Sequence, residues 1–210
     1  MIIAEGEAAH KRAAKLISSS GIVAFRTDTF YGLGANPFDE QALHRLNLLK
    51  GREGKPLLIV ISDASMIEQL VEKRSILFDA FAARHWPGAL TIVAPARTKL
   101  SLELTAGTGT IGLRLPDDEE VRCFVRACGS ALTATSANRA GEMPARTATE
   151  VASFFPSGLD LIVDAGPAPG GKPSTVLDVS NDEARVIREG AVSIYELKET
   201  LDSIGAKWNE

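Results

Sequence analysis

Short apolar runs and stretches of helical spacing alternate along almost the whole chain. Residues 7–18 are rich in helix formers, among them Ala8, Ala9 and Ala13, and stop at Gly21, which predicts a first helix. Ile22–Thr27 follows, opening with the apolar run Ile22–Phe25, and predicts a buried strand. Asp39 can cap a helix whose Ala42, Leu43, Leu46 and Leu49 fall at helical spacing and which ends at Lys50–Gly51. Leu57–Ile61 is the clearest central strand. Asp63 and Ser75 are cap residues for two further helices, the second ending before Trp86-Pro87-Gly88. Leu90–Ala94 and Thr110–Leu115 predict strands, residues 117–128 a helix, and Ala131–Thr135 a strand. Thr147 and Glu150 have capping-box spacing ahead of Val151, Ala152 and Phe155. Leu161–Val163, Val176–Val179 and Arg185–Arg188 complete the strands, and residues 193–204 predict a last helix.

Such a mixture predicts an α/β (mixed α+β) fold of three layers, a twisted sheet between helices. Neighbouring strands 90–94 and 110–115 lack an intervening helix, so the sheet should be mixed rather than wholly parallel. Neither a repeat nor a low-complexity linker divides the 210 residues, which read as a single domain. Apolar residues make up 45% and charged residues 24%, which excludes disorder as the main character. A net charge of −4 argues against a dedicated nucleic-acid binder while allowing a local cationic pocket. The longest apolar run, Leu57–Ile61, is far short of a membrane helix, and Glu5 and Glu7 stand where a signal peptide needs positive charge. A cytoplasmic location with no membrane contact is therefore expected. Cys123 and Cys128 read as reduced thiols within one helix, and His10, His44 and His85 form no ligand-spaced set with them.

One familiar motif fails its context. Gly107-Thr108-Gly109-Thr110-Ile111-Gly112 matches G-x-G-x-x-G, but Leu113, Arg114, Leu115 and Pro116 continue as a strand where a dinucleotide site needs a helix. No phosphate-loop sequence, nucleophile elbow or zinc-protease motif is present. Four other segments place hydroxyls or cations at strand ends, where α/β proteins put ligands. Thr27-Asp28-Thr29-Phe30-Tyr31-Gly32-Leu33-Gly34 is a glycine-rich loop carrying two aromatics. Lys50-Gly51-Arg52-Glu53-Gly54-Lys55-Pro56 gathers three cations; a helix C-terminus explains Lys50 and Gly51, but not Arg52 and Lys55. Thr133–Asn138 runs a buried strand into hydroxyls and an amide, and Ser174–Asp178 is followed by Arg188-Glu189-Gly190. Arg114, inside an apolar strand, is a cation in want of an anionic partner.

Taken in order, these segments resemble the YrdC-like family of threonylcarbamoyl-adenylate synthases. The matching stretches are TDTFYGLG (27–34), KGREGKPL (50–57), HWPGALTIV (85–93), GLRLP (112–116), TSANRAG (135–141), STVLD (174–178) and REG (188–190). They span roughly residues 8 to 195. The resemblance implies a twisted mixed sheet around a cavity. It also implies the reaction of L-threonine, bicarbonate and ATP to threonylcarbamoyl-AMP and pyrophosphate. That product serves tRNA threonylcarbamoyladenosine modification by downstream transfer proteins. By similarity, Thr29, Arg114, Ala134 and Ser174 contact L-threonine. Arg52, Lys55, Thr110, Ser136, Pro144 and Arg188 line the ATP site, and Lys50 and Asn138 belong with the phosphates. Arg26 stands where the family usually has proline, Val60 where some members have histidine near threonine, and Lys55 where some have asparagine. Longer members carry a second C-terminal domain, for which this chain ends too soon.

The chemistry suits such residues. Threonine's amine and its carbamate are the nucleophiles, so no protein nucleophile is required. Lys50 and Arg52, with Mg²⁺ carried in on ATP, would neutralise phosphate charge, and Arg114 would pair with the threonine carboxylate. Two alternatives are an RNA-binding or ribosome-maturation factor, with weak RNA affinity left open, and a carbamoyl-transfer module. On composition, Gly166–Lys172 is the candidate lid.

Overall fold

The computed structural model describes all residues except 52, 53, 55, 140, 182 and 207–210. Its first half alternates strands and helices: β1 (Ile2–Ala4), α1 (Glu7–Ile17), β2 (Val23–Arg26), β3 (Tyr31–Gly34), α2 (Glu40–Lys50), β4 (Leu58–Val60), α3 (Ile67–Leu70), α4 (Ile76–His85) and β5 (Leu90–Pro95). There follow α5 (Leu102–Thr105), β6 (Thr110–Arg114), α6 (Glu119–Ala127), β7 (Leu132–Thr133), β8 (Thr135–Ser136), α7 (Ala148–Phe154), β9 (Leu161–Asp164), β10 (Thr175–Asp178), β11 (Arg185–Arg188) and α8 (Ile194–Ser203). No helix among the described residues is long and apolar enough to cross a membrane.

Local chemistry sets most boundaries. Asp39 accepts from the Ala42 N–H at the start of α2, and Gly51 closes that helix with φ 56° and ψ 38°, a left-handed conformation a side chain would resist. Ser75 caps α4, Asp118 caps α6, and Thr147 with Glu150 forms the expected capping box on α7. Asp63 caps only a single 3-10 turn that leads into the four-residue α3. The G-x-G-x-x-G segment is a loop feeding β6, with Gly107 and Gly109 at φ 73° and 69°. Both cysteines are free thiols, Cys123 exposed and Cys128 buried.

The expected single sheet is two. Five strands run β1-β9-β2-β3-β8 and six run β11-β10-β5-β6-β4-β7. Each mixes parallel and antiparallel pairs: β2 is parallel to β9 and antiparallel to β3, and β4 is parallel to β6 and antiparallel to β7. The strand expected at Ala131–Thr135 is broken at Ala134. Thr133 pairs with Ile59 in one sheet, while Thr135 pairs with Leu33 in the other. One short stretch therefore passes from sheet to sheet, and the two sheets diverge on either side of it. Tyr31–Gly34, read from sequence as loop, is a fully buried strand.

Period-two alternation sends neighbouring residues of β2 to different cores. Val23 and Phe25 join Ala9, Ala13 and Ile17 of α1 and Val121, Phe124 and Val125 of α6. Ile22 and Ala24 join the larger cluster with Leu43, Leu46, Phe78, Phe81 and Val151. Phe25 and Phe124 stack with ring centroids 5.1 Å apart.

Candidate functional site

A cavity of about 420 Å³ opens where strand ends from both sheets meet. Around it lie Arg188 at the end of β11, Ser174 before β10, Thr91 in β5 and Arg114 at the end of β6. Val60 of β4, Ala134 at the joint between the sheets, and Thr27 and Thr29 beyond β2 complete the wall. All four residues expected at threonine (Thr29, Arg114, Ala134 and Ser174) face this one space, as do Ser136, Pro144 and Arg188 of the expected ATP set.

The hairpin joining β2 to β3 is set by Thr27. Its hydroxyl donates to the Phe30 carbonyl at 2.7 Å and accepts from the N–H groups of Thr29 and Phe30 at 3.2 and 3.3 Å. Asp28 and Thr29 are thereby held at the tip. Arg114 is buried and meets Asp28 on both guanidinium branches, Nη1 to Oδ2 at 3.1 Å and Nη2 to Oδ1 at 2.9 Å. The cation expected to be unpaired thus already has a carboxylate. Burial pushes Asp28 up and Arg114 down, outweighing the attraction each exerts on the other.

Across the cavity, Arg188 donates to the Ser174 carbonyl at 2.8 Å, and the Ser174 hydroxyl lies 3.0 Å from that of buried Thr91. Arg188 is also pushed down, first by burial and then by Arg114. Among the described residues no carboxylate pairs with it. Two cations and one carboxylate leave this wall net positive, the charge an anionic ligand needs. Gly112 shapes the floor. A Cβ there would lie 2.6 Å from Leu58 Cδ2 and 3.2 Å from Thr91 Cγ2, so only glycine lets those side chains meet over β6.

The outer rim is built from loops. Ala137 N–H donates to the Tyr31 carbonyl, Tyr31 N–H to the Ala145 carbonyl, and Ala145 N–H to the Ala137 carbonyl, so Ala137 and Ala145 are pinned to each other and to β3. Lys50, the last residue of α2, donates to the Ser136 carbonyl at 2.7 Å and to the Asn138 carbonyl, and lies 5.9 Å from the Phe155 ring centroid. Asn138 accepts from the Ser136 hydroxyl at 2.6 Å and donates to the carbonyls of Arg139 and Glu142. Lys50 and Asn138 therefore brace this loop and are not part of the cavity wall. Thr110 shares a face of β6 with Arg114 by alternation but sits at the far end of the strand, outside the cavity. Arg52 and Lys55 lie outside the described residues.

The expected lid is tied down at several points. Tyr31 Oη donates to the Gly166 carbonyl at 2.7 Å, Ala168 N–H to Arg146 and Gly170 N–H to Thr29. Gly171 within it and Pro173 just beyond it belong to the wall. Two of the three family departures are accommodated: Val60 is buried in the wall, and Arg26 points away to Asp118 and Glu120 at 3.2 and 2.6 Å, while the third, Lys55, lies outside the described residues. Sequence reading missed Thr91 and the partnership of Asp28. Thr91 carried a usable signal, a polar residue inside an apolar strand, the same one that singled out Arg114. Asp28 carried none, because its partner is distant in sequence.

Comparison with known proteins agrees with this geometry. The sequence model of the Sua5/YciO/YrdC family, described as "Telomere recombination", matches residues 15–190. A protein of Idiomarina loihiensis named threonylcarbamoyl-AMP synthase is 36% identical over 175 residues, covering 82% of this chain and 93% of that one. Its Bacillus subtilis namesake is 34% identical over 195 residues, 92% of this chain but 56% of the relative. The crystal structure of P. abyssi Sua5 complexed with L-threonine superimposes with a TM-score of 0.89 at 31% identity, covering 96% of this chain and 60% of that one. The chain thus spans nearly the whole of the first relative and little more than half of the other two. With its fold and most of its length shared with these proteins, the chain belongs to the Sua5/YciO/YrdC family.

Proposed function

We propose that this protein is an L-threonylcarbamoyladenylate synthase, a nucleotidyltransferase that converts L-threonine, bicarbonate and ATP into threonylcarbamoyl-AMP, pyrophosphate and water. One observation carries the reading. Arg114, Ser174, Thr29 and Ala134 converge with Arg188, Ser136 and Pro144 on a single net-positive cavity in a chain of this family. The relative whose structure holds L-threonine has the same fold over 96% of this chain, which supports an amino acid in the buried half of the cavity.

In this reading the α-carboxylate of threonine lies on the Arg114 guanidinium, and the Ser174 and Thr91 hydroxyls face its side chain. The amine takes up carbon dioxide from bicarbonate to give a carbamate, whose oxygen attacks the α-phosphorus of ATP and expels pyrophosphate. The protein's part is to align two substrates and offset phosphate charge, with Arg188 inside, Lys50 at the rim, and Arg52 and Lys55 as the further cations the family resemblance assigns to the phosphates. In this reading Mg²⁺ comes with the substrate, carried on the triphosphate. The adenylate passes to separate tRNA-modifying proteins, and a net charge of −4 agrees with a chain that leaves tRNA binding to them, at work in the cytoplasm.

Mass spectrometry of the protein incubated with ATP, Mg²⁺, L-threonine and bicarbonate tests this. A threonylcarbamoyl-AMP peak that vanishes when any one substrate is omitted is the expected result. Folded protein that binds ATP and yields no such peak overturns it.

A further inference from the structure

The Asp28–Arg114 pair poses a physical problem. A carboxylate resting on the arginine that is to receive a substrate carboxylate competes with that substrate, and keeping it buried is costly. Nor is the pair fully formed. Although Asp28 Oδ1 lies 2.9 Å from Arg114 Nη2, it is one of three buried side-chain polar atoms among the described residues without an aligned hydrogen bond. Arg26 Nε, two residues before it, is another. The charges here form an ordered series. Asp118 and Glu120 hold Arg26 at the outside, Asp28 holds Arg114 within, and Arg188 stands farther along the wall with no carboxylate among the described residues. Fixed charges in this order set up a field directed between the carboxylate at the hairpin tip, just behind the Thr27 and Thr29 lining, and the cation at Arg188.

A plain anion needs only the positive end of such a field. A zwitterion uses both. Its carboxylate lies toward Arg114 and Arg188, and its ammonium, held about 3 Å away by the α-carbon, turns toward the hairpin tip, where the low-dielectric wall strengthens the attraction. We propose that Asp28 is a selectivity and positioning residue whose carboxylate makes the cavity prefer an α-amino acid over the same acid lacking its amine, and points that amine toward the Thr27–Thr29 hairpin. Its action is through charge at short range and through the seating of Arg114, not through the reacting atoms.

Asp28's role rests on the threonine reading above, and the two fail differently. Titration calorimetry compares L-threonine with 3-hydroxybutanoate, its deamino counterpart, on wild type, Asp28→Asn and Asp28→Glu. Wild type should bind threonine at least 10-fold more tightly than the hydroxy acid. Asp28→Asn, nearly isosteric but neutral, should shrink that ratio at least 5-fold, and Asp28→Glu should restore most of it. A purely structural role would weaken both ligands together and leave the ratio intact. An unchanged ratio in Asp28→Asn overturns the proposal. So does a wild type that binds both ligands equally, a measurement that needs no variant to fold. Wild type that does not bind threonine at all removes the substrate reading, and Asp28's role with it.

Discussion

The inner and outer parts of the cavity are built on opposite plans. Inside, Thr91 is 1% exposed, and Arg114 and Ser174 are also buried; all three sit on strands or at their ends, Thr91 held to Ser174 and Arg114 to Asp28. Outside, Met143 is 77% exposed, Ser136 is exposed, and the rim is a loop braced by Lys50 and Asn138. Under the function proposed above, the difference is how one site would serve two substrates. Fixed charges in a buried wall suit a small amino acid, where a misplaced group is expensive. Loops with cations suit a triphosphate, which is large, strongly charged and partly solvated.

The comparison can be broken at its inner end first. Arg114→Ala should cost about 3–5 kcal/mol of stability, since it leaves Asp28 buried without a counter-charge. Urea unfolding measures this, and adding Asp28→Asn should recover part of the loss. If the single variant is as stable as wild type, the inner wall is not built on that pair. Next, Gly112→Ala should cost about 1–3 kcal/mol by forcing Leu58 and Thr91 apart. It should also weaken threonine more than ATP, as calorimetry with each would show.

For a cation expected at the phosphates the prediction reverses. Arg52→Ala should lower kcat/KM more than 10-fold, about 1.4 kcal/mol of transition-state stabilisation, while its thermal midpoint stays near that of wild type. Unchanged activity would remove Arg52 from the site. The smallest effect lies at the seam between rim and wall. Tyr31→Phe should cost about 1 kcal/mol through the lost bond to Gly166. Burial, aided by Asp164, pushes the Tyr31 hydroxyl up from 10.0 to about 12. The unfolded chain therefore ionises first, and this contribution, complete below pH 10, is lost as pH rises toward 12. Stability curves of wild type and Tyr31→Phe should converge over that window. Parallel curves would mean the hydroxyl does not titrate as its burial requires.

Much of this molecule is legible in its amino-acid sequence. Helix starts at Asp39, Ser75, Asp118, Thr147 and Ser193, and the stop at Gly51, depend on groups within a few residues of one another, so local chemistry settles them. Strand positions follow from unbroken apolar runs. Arg114, Ser174 and Arg188 stand out because polar groups are costly in or beside such runs. Tyr31–Gly34 escapes because its glycines mimic a loop, although burial on both faces makes it a strand.

Sequence by itself thus determined most of the elements and many of their ends, though not β1, β3 or α5, together with the chemical groups set aside from the core, because each depends on neighbours along the chain. Only the tertiary structure decided that the sheet divides at Ala134, since that depends on which strands compete for its two sides. It alone placed Asp28 on Arg114 across 86 residues, Thr91 on Ser174 across 83 and Tyr31 under Gly166 across 135. Pairings at such separations come from packing the two sheets against their helices. No periodicity in the chain encodes which charge will meet which.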